Sequence, residues 1–276
     1  MTKPLSSVNL HQLVHQVITE QRHSSILCAP KVIQEGVYDP AILKAVFTAG
    51  GPGSGKSYLA DVIFGVRTGD DKPFFKNASF VSSGLKYINS DRFFEKQLTK
   101  MGLNPKDLQD ISDLPSSELW DIIQATDNPE SLRSVAKDKL ATLKSFFEAG
   151  RLGLLIDGTG GKFDKMVRQK NIAEALGYDT YMLFVDTSLS VAIERDAKRA
   201  RTLGPQKVDE IWQQVQDNKG KYQQVFKQNF SIVENSVYGP PPAQVVKEIN
   251  IFVDSPVENP IGQAWIQGEL EKKKQN

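Results

Sequence analysis

Cysteine is almost missing from this sequence: Cys28 is the only one in 276 residues. That excludes an internal disulfide framework and a cysteine-held zinc, and a reducing compartment is expected. Histidine is scarce as well, at three. His11 and His15 stand four apart, but no Asp, Glu or Cys at ligand spacing completes a metal site, so packed or solvated histidines are expected. No apolar run approaches the length of a bilayer span, and the N-terminus lacks the basic region and apolar core of a secretory signal. The expectation is a cytoplasmic protein with no membrane partner. Charge of one sign is lacking too, since 34 Lys and Arg against 33 Asp and Glu leave +1. A large non-specific nucleic-acid surface is thereby disfavoured, while a local basic patch on a polynucleotide stays open. There is no internal repeat, no long low-complexity segment, and no Asn-Lys-x-Asp sequence of the kind that reads guanine.

What is present is organised around Ala45 to Ser57, an apolar run that opens into Gly50-Gly51-Pro52-Gly53-Ser54-Gly55-Lys56-Ser57. The spacing is that of a phosphate-binding loop, G-x-x-x-x-G-K-[ST]. Glycines let successive backbone N–H groups turn toward a phosphate, and the following helix aims its positive end at the same place. The nucleotide-side residues are therefore Gly51, Pro52, Gly53, Ser54, Gly55, Lys56, Ser57 and Tyr58. Lys56 is expected at the β- and γ-phosphates, and Ser57 at Mg²⁺. ATP and Mg²⁺ are the expected cofactors.

The rest of the chain reads as alternating strands and helices. Leu10, Leu13, Val14, Val17 and Ile18 mark an amphipathic N-terminal helix. Leu85 to Ser90 is a second strand ending at Asp91, on the sheet edge where ligands bind in α/β folds. Asp91 is either a catalytic acid or the N-cap of a helix starting near Arg92. Between about 95 and 150 the signals are helical, with a stripe of Leu132, Val135, Ala136, Leu140, Leu143 and Phe147 closed by Gly150. This insertion is either a cap over an acceptor or plain packing. Leu152 to Ile156 is a third strand, and Asp157 at its end stands where an aspartate orients Mg²⁺ or its water. Gly158 follows, where a hydrolytic motor commonly carries a glutamate, which suits transfer better than hydrolysis.

A helix over 163–176 leads through Gly177 to a fourth strand, Thr180 to Asp186. The next helix carries Arg195, Lys198, Arg199 and Arg201 toward Gly204-Pro205. This cluster is either a solvated face or a lid over the triphosphate. Val208 to Phe226 forms another amphipathic helix, Ser231 to Asn235 the last core strand, and Gly239 to Pro242 a breaker. Ile249 to Val253 is expected as an edge strand, followed by a terminal helix from Pro260 and a frayed Glu271 to Lys274. The domain reading is a helical extension over 1–40, one α/β domain over 41–256 and a helical tail over 257–276.

In this order the blocks resemble the P-loop kinases that include phage-type polynucleotide 5′-hydroxyl kinases and the zeta-toxin sugar-nucleotide kinases. The resemblance spans about Ala45 to Asn235 and leaves out both ends. It implies a three-layer P-loop fold with a mostly parallel sheet, a helical insertion and an arginine lid. It also implies transfer of the γ-phosphoryl group of ATP to a hydroxyl of a nucleic acid or nucleotide-like acceptor, a hydroxymethylpyrimidine in DNA included. Asp91 is then the base, Lys56, Arg195 and Arg199 stabilise charge, Arg201 is a further lid member, and Ser57 and Asp157 place the metal. The pattern departs at Phe94, where the polynucleotide kinases carry an acceptor-phosphate arginine; Arg92 and Lys96 are the nearby cations. Alternatives are a zeta-toxin-like or other small-molecule kinase, a nucleoside monophosphate kinase, and a nucleotide switch that transfers nothing.

Overall fold

Five apolar runs become five strands: β1 (Lys44–Ala49), β2 (Lys86–Ile88), β3 (Leu154–Asp157), β4 (Asp179–Asp186) and β5 (Phe230–Glu234). They come from a computed structural model of the chain that describes residues 37–39, 41–64, 84–100, 123, 131–199 and 202–275. The expected N-terminal helix with His11 and His15, Cys28, residues 69–73, much of the expected insertion and Arg201 lie outside the described residues. The described part falls into two compact units, one of 89–145 and residue 202, the other of 37–88, 146–199 and 203–275.

All five strands lie in the second unit, every pairing is parallel, and the order is β2-β3-β1-β4-β5. Lys44 to Ala49 are buried throughout, as a central parallel strand covered on both faces requires. One face packs Val46, Leu155, Tyr181, Leu183 and Val185 against α1 (Lys56–Phe64) and α7 (Ala243–Asp254). On the other face the Phe47 ring lies 5.8 Å from Phe226 of α6 (Pro205–Phe226), and Lys170 of α4 (Phe163–Ala175) covers Phe226. The result is the expected three-layer α/β architecture. Because β2 and β3 lie on one side of β1 and β4 and β5 on the other, the strand order reverses at β1, whose C-terminal end is the ligand-binding position in such sheets.

Two local expectations are corrected. Ile249 to Val253 is not an edge strand but part of α7, which buries Val245, Ile249, Phe252 and Val253. Their i, i+4, i+7, i+8 spacing is helical. The terminal helix α8 (Pro260–Gln275) continues through the lysines expected to fray. The residues leading into it are docked: Asn259 Nδ2 donates to the carbonyls of Glu174 and Tyr178, and Asp179 accepts from the amides of Glu258 and Asn259. Asp179 also accepts from buried Lys44 at 2.9 Å.

The first unit contains α2 (Ser90–Lys100) and most of α3 (Leu132–Ala149). Side-chain caps start both. Asn89 Oδ1 accepts from the Asp91 amide at 2.8 Å, and Ser131 Oγ from the Ser134 amide at 3.1 Å. Asn89, rather than Asp91, therefore caps α2. At the far end of α3 the left-handed residue is Arg151, at φ 56°, one position beyond the expected Gly150.

Candidate nucleotide site

The loop between β1 and α1 turns through two glycines that no other residue replaces. Gly53 and Gly55 have φ of 71° and 88°. A Cβ on Gly53 would meet the Ala192 carbonyl oxygen at 2.3 Å, and one on Gly55 would meet Asn235 Nδ2 at 2.2 Å. The loop is pinned to its neighbours: the Gly50 amide donates to Thr159 O at 3.0 Å, and Asn235 Nδ2 donates to Ser54 O at 2.6 Å. Lys56 opens α1 and its ammonium donates to the carbonyls of Gly50 and Gly51. Ser57 and Tyr58 are exposed in the first turn of the helix, and Tyr58 Oη donates to Gly239 O at 3.4 Å.

A cavity of about 470 Å³ is lined by Gly51, Pro52, Gly53, Gly55, Lys56 and Ser57 together with residues of α5 (Leu189–Ala197) and the turn after it. That is within the size range of small-molecule and cofactor sites. Arg195, Lys198 and Arg199 all line it, so the expected loop and two expected lid arginines share one cavity. Arg195 Nη1 donates to Asn235 O at 2.6 Å and reaches Gly53 O at 3.5 Å. Lys198 pairs with Glu194, and that hydrogen bond holds the exposed Glu194 carboxyl below the usual carboxylate range. Buried Asp196 accepts from the Leu203 amide at 2.7 Å.

At the end of β3, Asp157 Oδ1 accepts from Thr48 Oγ1 at 2.8 Å and Oδ2 from Tyr87 Oη at 3.0 Å. Both donors come from the neighbouring strands β1 and β2, so the sheet itself aims the carboxylate. Asp157 and Ser57 are oxygen donors of the kind Mg²⁺ takes, one or two from protein and the rest from water and phosphate. Among the described residues there is no cluster of three metal-ligating side chains.

Helix α6 braces the same end of the sheet. Asn218 and Tyr222 donate to the Gly160 carbonyl after β3, while Trp212, Gln216 and Lys219 hold Thr187 and Asp186 at the end of β4. Burial pushes the Tyr222 phenol up to about 12.

Asp91 belongs to the other unit. Its side chain is 54% exposed, and Oδ1 accepts from Arg133 Nη2 at 2.9 Å. The Arg133 guanidinium in turn lies 5.0 Å from the centre of the Phe94 ring. Sequence reading did not single out Arg133, Asn235, Thr48, Tyr87 or Tyr238. Only Tyr238 carried a local signal, as an aromatic in the loop after the last core strand, on the ligand-binding edge.

No protein-family model matches the chain, and no curated protein matches its sequence. Among solved structures, a chain of the PezAT chromosomal toxin-antitoxin system of Streptococcus pneumoniae is similar over 100% of both chains, with 13% identity and a TM-score of 0.48. A gluconokinase from Sinorhizobium meliloti is similar over 84% of this chain and 98% of its own, with 14% identity and a TM-score of 0.39. The ATP complex of AvrRxo1-ORF1:-ORF2 is similar over 99% and 78%, with 13% identity and a TM-score of 0.42. These likenesses are distant, and the functional assignment rests on the residues of the chain itself. No described helix is long and apolar enough to cross a membrane.

Proposed function

We propose that the chain is a P-loop phosphotransferase that moves the γ-phosphoryl group of ATP to a hydroxyl of a nucleic-acid or nucleotide-like acceptor. The observation that carries this reading is the single cavity lined by the glycine loop, Lys56, Ser57, Arg195 and Arg199. Loop amides and the start of α1 bind the phosphates, and Lys56 exchanges its carbonyl partners for β- and γ-phosphate oxygens. Arg199, 55% exposed and only loosely paired to Asp196 at 3.9 Å, is the cation most available to the transferred group. Arg201 is assigned to the same lid.

Ser57 and Asp157 would hold Mg²⁺, which on binding neutralises charge on the β- and γ-phosphates. Asp91 takes the acceptor proton: the acceptor oxygen bonds to the γ-phosphorus, the bond to the β–γ bridging oxygen breaks, ADP leaves, and the proton goes to the carboxylate. Arg133 fixes one Asp91 oxygen and leaves Oδ2 for the hydroxyl. Phe94 in place of a cation keeps a small nucleotide-like acceptor alongside a polynucleotide end.

A transfer assay with γ-labelled ATP against DNA ends, RNA ends, hydroxymethylated DNA, nucleosides, monophosphates and sugar nucleotides tests the reading. Label on a hydroxyl acceptor is the expected result. Label only on monophosphates would make the protein a nucleoside monophosphate kinase, and slow hydrolysis with no labelled acceptor would make it a switch.

A further inference from the structure

The loop after β5 puts an aromatic ring into water beside the phosphate loop. Tyr238 is 86% exposed, and its neighbour Val237 is 82% exposed. At that exposure neither side chain contributes to the packing of the sheet, and Tyr238 is the one aromatic ring among the described residues that line the cavity. Tyr238 lines the same cavity as the glycine loop, and its ring centre lies 5.2 Å from the Arg195 guanidinium. That guanidinium is held in place by the Asn235 and Gly53 carbonyls. The loop itself is tied to α1 by Tyr58 on Gly239 O, and to the start of α5 by the Ser188 amide on Ser236 Oγ at 2.8 Å. The ring is therefore solvated but carried on a fixed support.

The polar lining is equally informative. No Asn or Gln side chain lines the cavity among the described residues. Ser236 already spends its amide and hydroxyl on Glu234 and Ser188, and Glu194 is paired with Lys198. Groups able to read the edge of a base are scarce, while a π face backed by a cation is present.

We infer that Tyr238, supported by Arg195, is the platform on which the purine base of the donor nucleotide stacks, and that stacking rather than edge hydrogen bonding selects the base. ATP and GTP are then accepted alike, and pyrimidine nucleotides, with less ring to stack, bind more weakly. This inference rests on the nucleotide site proposed above. It assigns Arg195 to the base side of the cavity and leaves Arg199 to the phosphates.

Calorimetric titration of ATP, GTP, CTP and inorganic triphosphate into the full chain, with Mg²⁺, tests it. ATP and GTP are expected to bind within about threefold of each other, and CTP more weakly. Tyr238→Ala should weaken ATP and GTP by about five- to hundredfold, the range carried by stacking one base, with Tyr238→Phe restoring both. Inorganic triphosphate should bind wild type and Tyr238→Ala equally. Unchanged ATP affinity in Tyr238→Ala, an equal loss for triphosphate, or strong preference for one purine would overturn the inference and leave the phosphate site standing. Failure of wild type to bind either ATP or triphosphate would overturn the nucleotide site itself.

Discussion

Replacing Asn235 isolates the contact that joins the phosphate loop to the last strand. Asn235 is 6% exposed and donates from Nδ2 to Ser54 O at 2.6 Å, across 181 residues of sequence. Its backbone amide donates to Asp186 O at 2.8 Å, and its carbonyl accepts from Arg195; both bonds survive a change of side chain. Asn235→Ala leaves the Ser54 carbonyl without a partner in a place where Ser54 is 1% exposed. An orphaned buried acceptor costs about 1–3 kcal/mol. For a chain of this size that lowers the melting midpoint by about 2–10 °C. If the whole penalty falls on the loop, ATP affinity drops by about five- to hundredfold, at 1.4 kcal/mol per tenfold. Asn235→Asp keeps the shape but sets a carboxylate oxygen against the carbonyl, so its effect should exceed that of alanine. Thermal melts and calorimetric ATP titration of both variants provide the assay. An aspartate variant that melts and binds ATP like wild type would refute the pinning role of Asn235.

Other parts of the fold make separate predictions. A Cβ on Gly262 would meet the Gly177 carbonyl oxygen at 2.2 Å, so Gly262→Ala should push α8 off the sheet end and cost more than the about 1 kcal/mol typical of point mutations; urea unfolding reads it. Lys44→Met leaves half-buried Asp179 with only its two backbone donors, and a loss below the about 3–5 kcal/mol of a fully buried broken pair is expected. A melt within about 1 °C of wild type would show the pair to be dispensable. Burial raises Tyr178, Tyr181 and Tyr222 above the ordinary phenol value of 10, to about 12 for Tyr222. The folded chain thus keeps protons the unfolded chain has lost, so this stability is complete below pH 10 and declines as the pH rises through the interval to about 12. Urea midpoints at pH 8 and pH 11 should differ in that direction.

The sheet and the phosphate loop were readable in the sequence because their signals are local. Five apolar runs and a fixed glycine spacing need no partner to be recognised. The error at Ile249 to Val253 shows the limit of a short window, since five residues with four apolar side chains fit a strand, while the helical period appears only when Val245 is counted. Helix α3 does end at Ala149, beside Gly150, as expected, while the left-handed residue that turns the chain is Arg151. The candidate site divides in the same way. The glycine-loop residues proposed to bind phosphate are contiguous, but those that hold them come from far away. Thr48 and Tyr87 meet Asp157 only because β1 and β2 flank β3, and Asn235 meets Ser54 only because β5 ends beside the loop. Arg133 reaches Asp91 across 42 residues, from a different helix, and its guanidinium lies over the Phe94 ring. No spacing rule connects such pairs before the chain is folded.

The central claim is that the chain transfers phosphate by means of Asp91 after binding ATP in the glycine loop. The direct measurement is ATP binding and single-turnover transfer for Asp91→Asn and Lys56→Ala beside wild type, on whichever acceptor takes label. Asp91→Asn should bind ATP as wild type does and transfer about 10²- to 10⁴-fold more slowly, while Lys56→Ala should lose transfer outright. Full-speed transfer by Asp91→Asn would contradict the account.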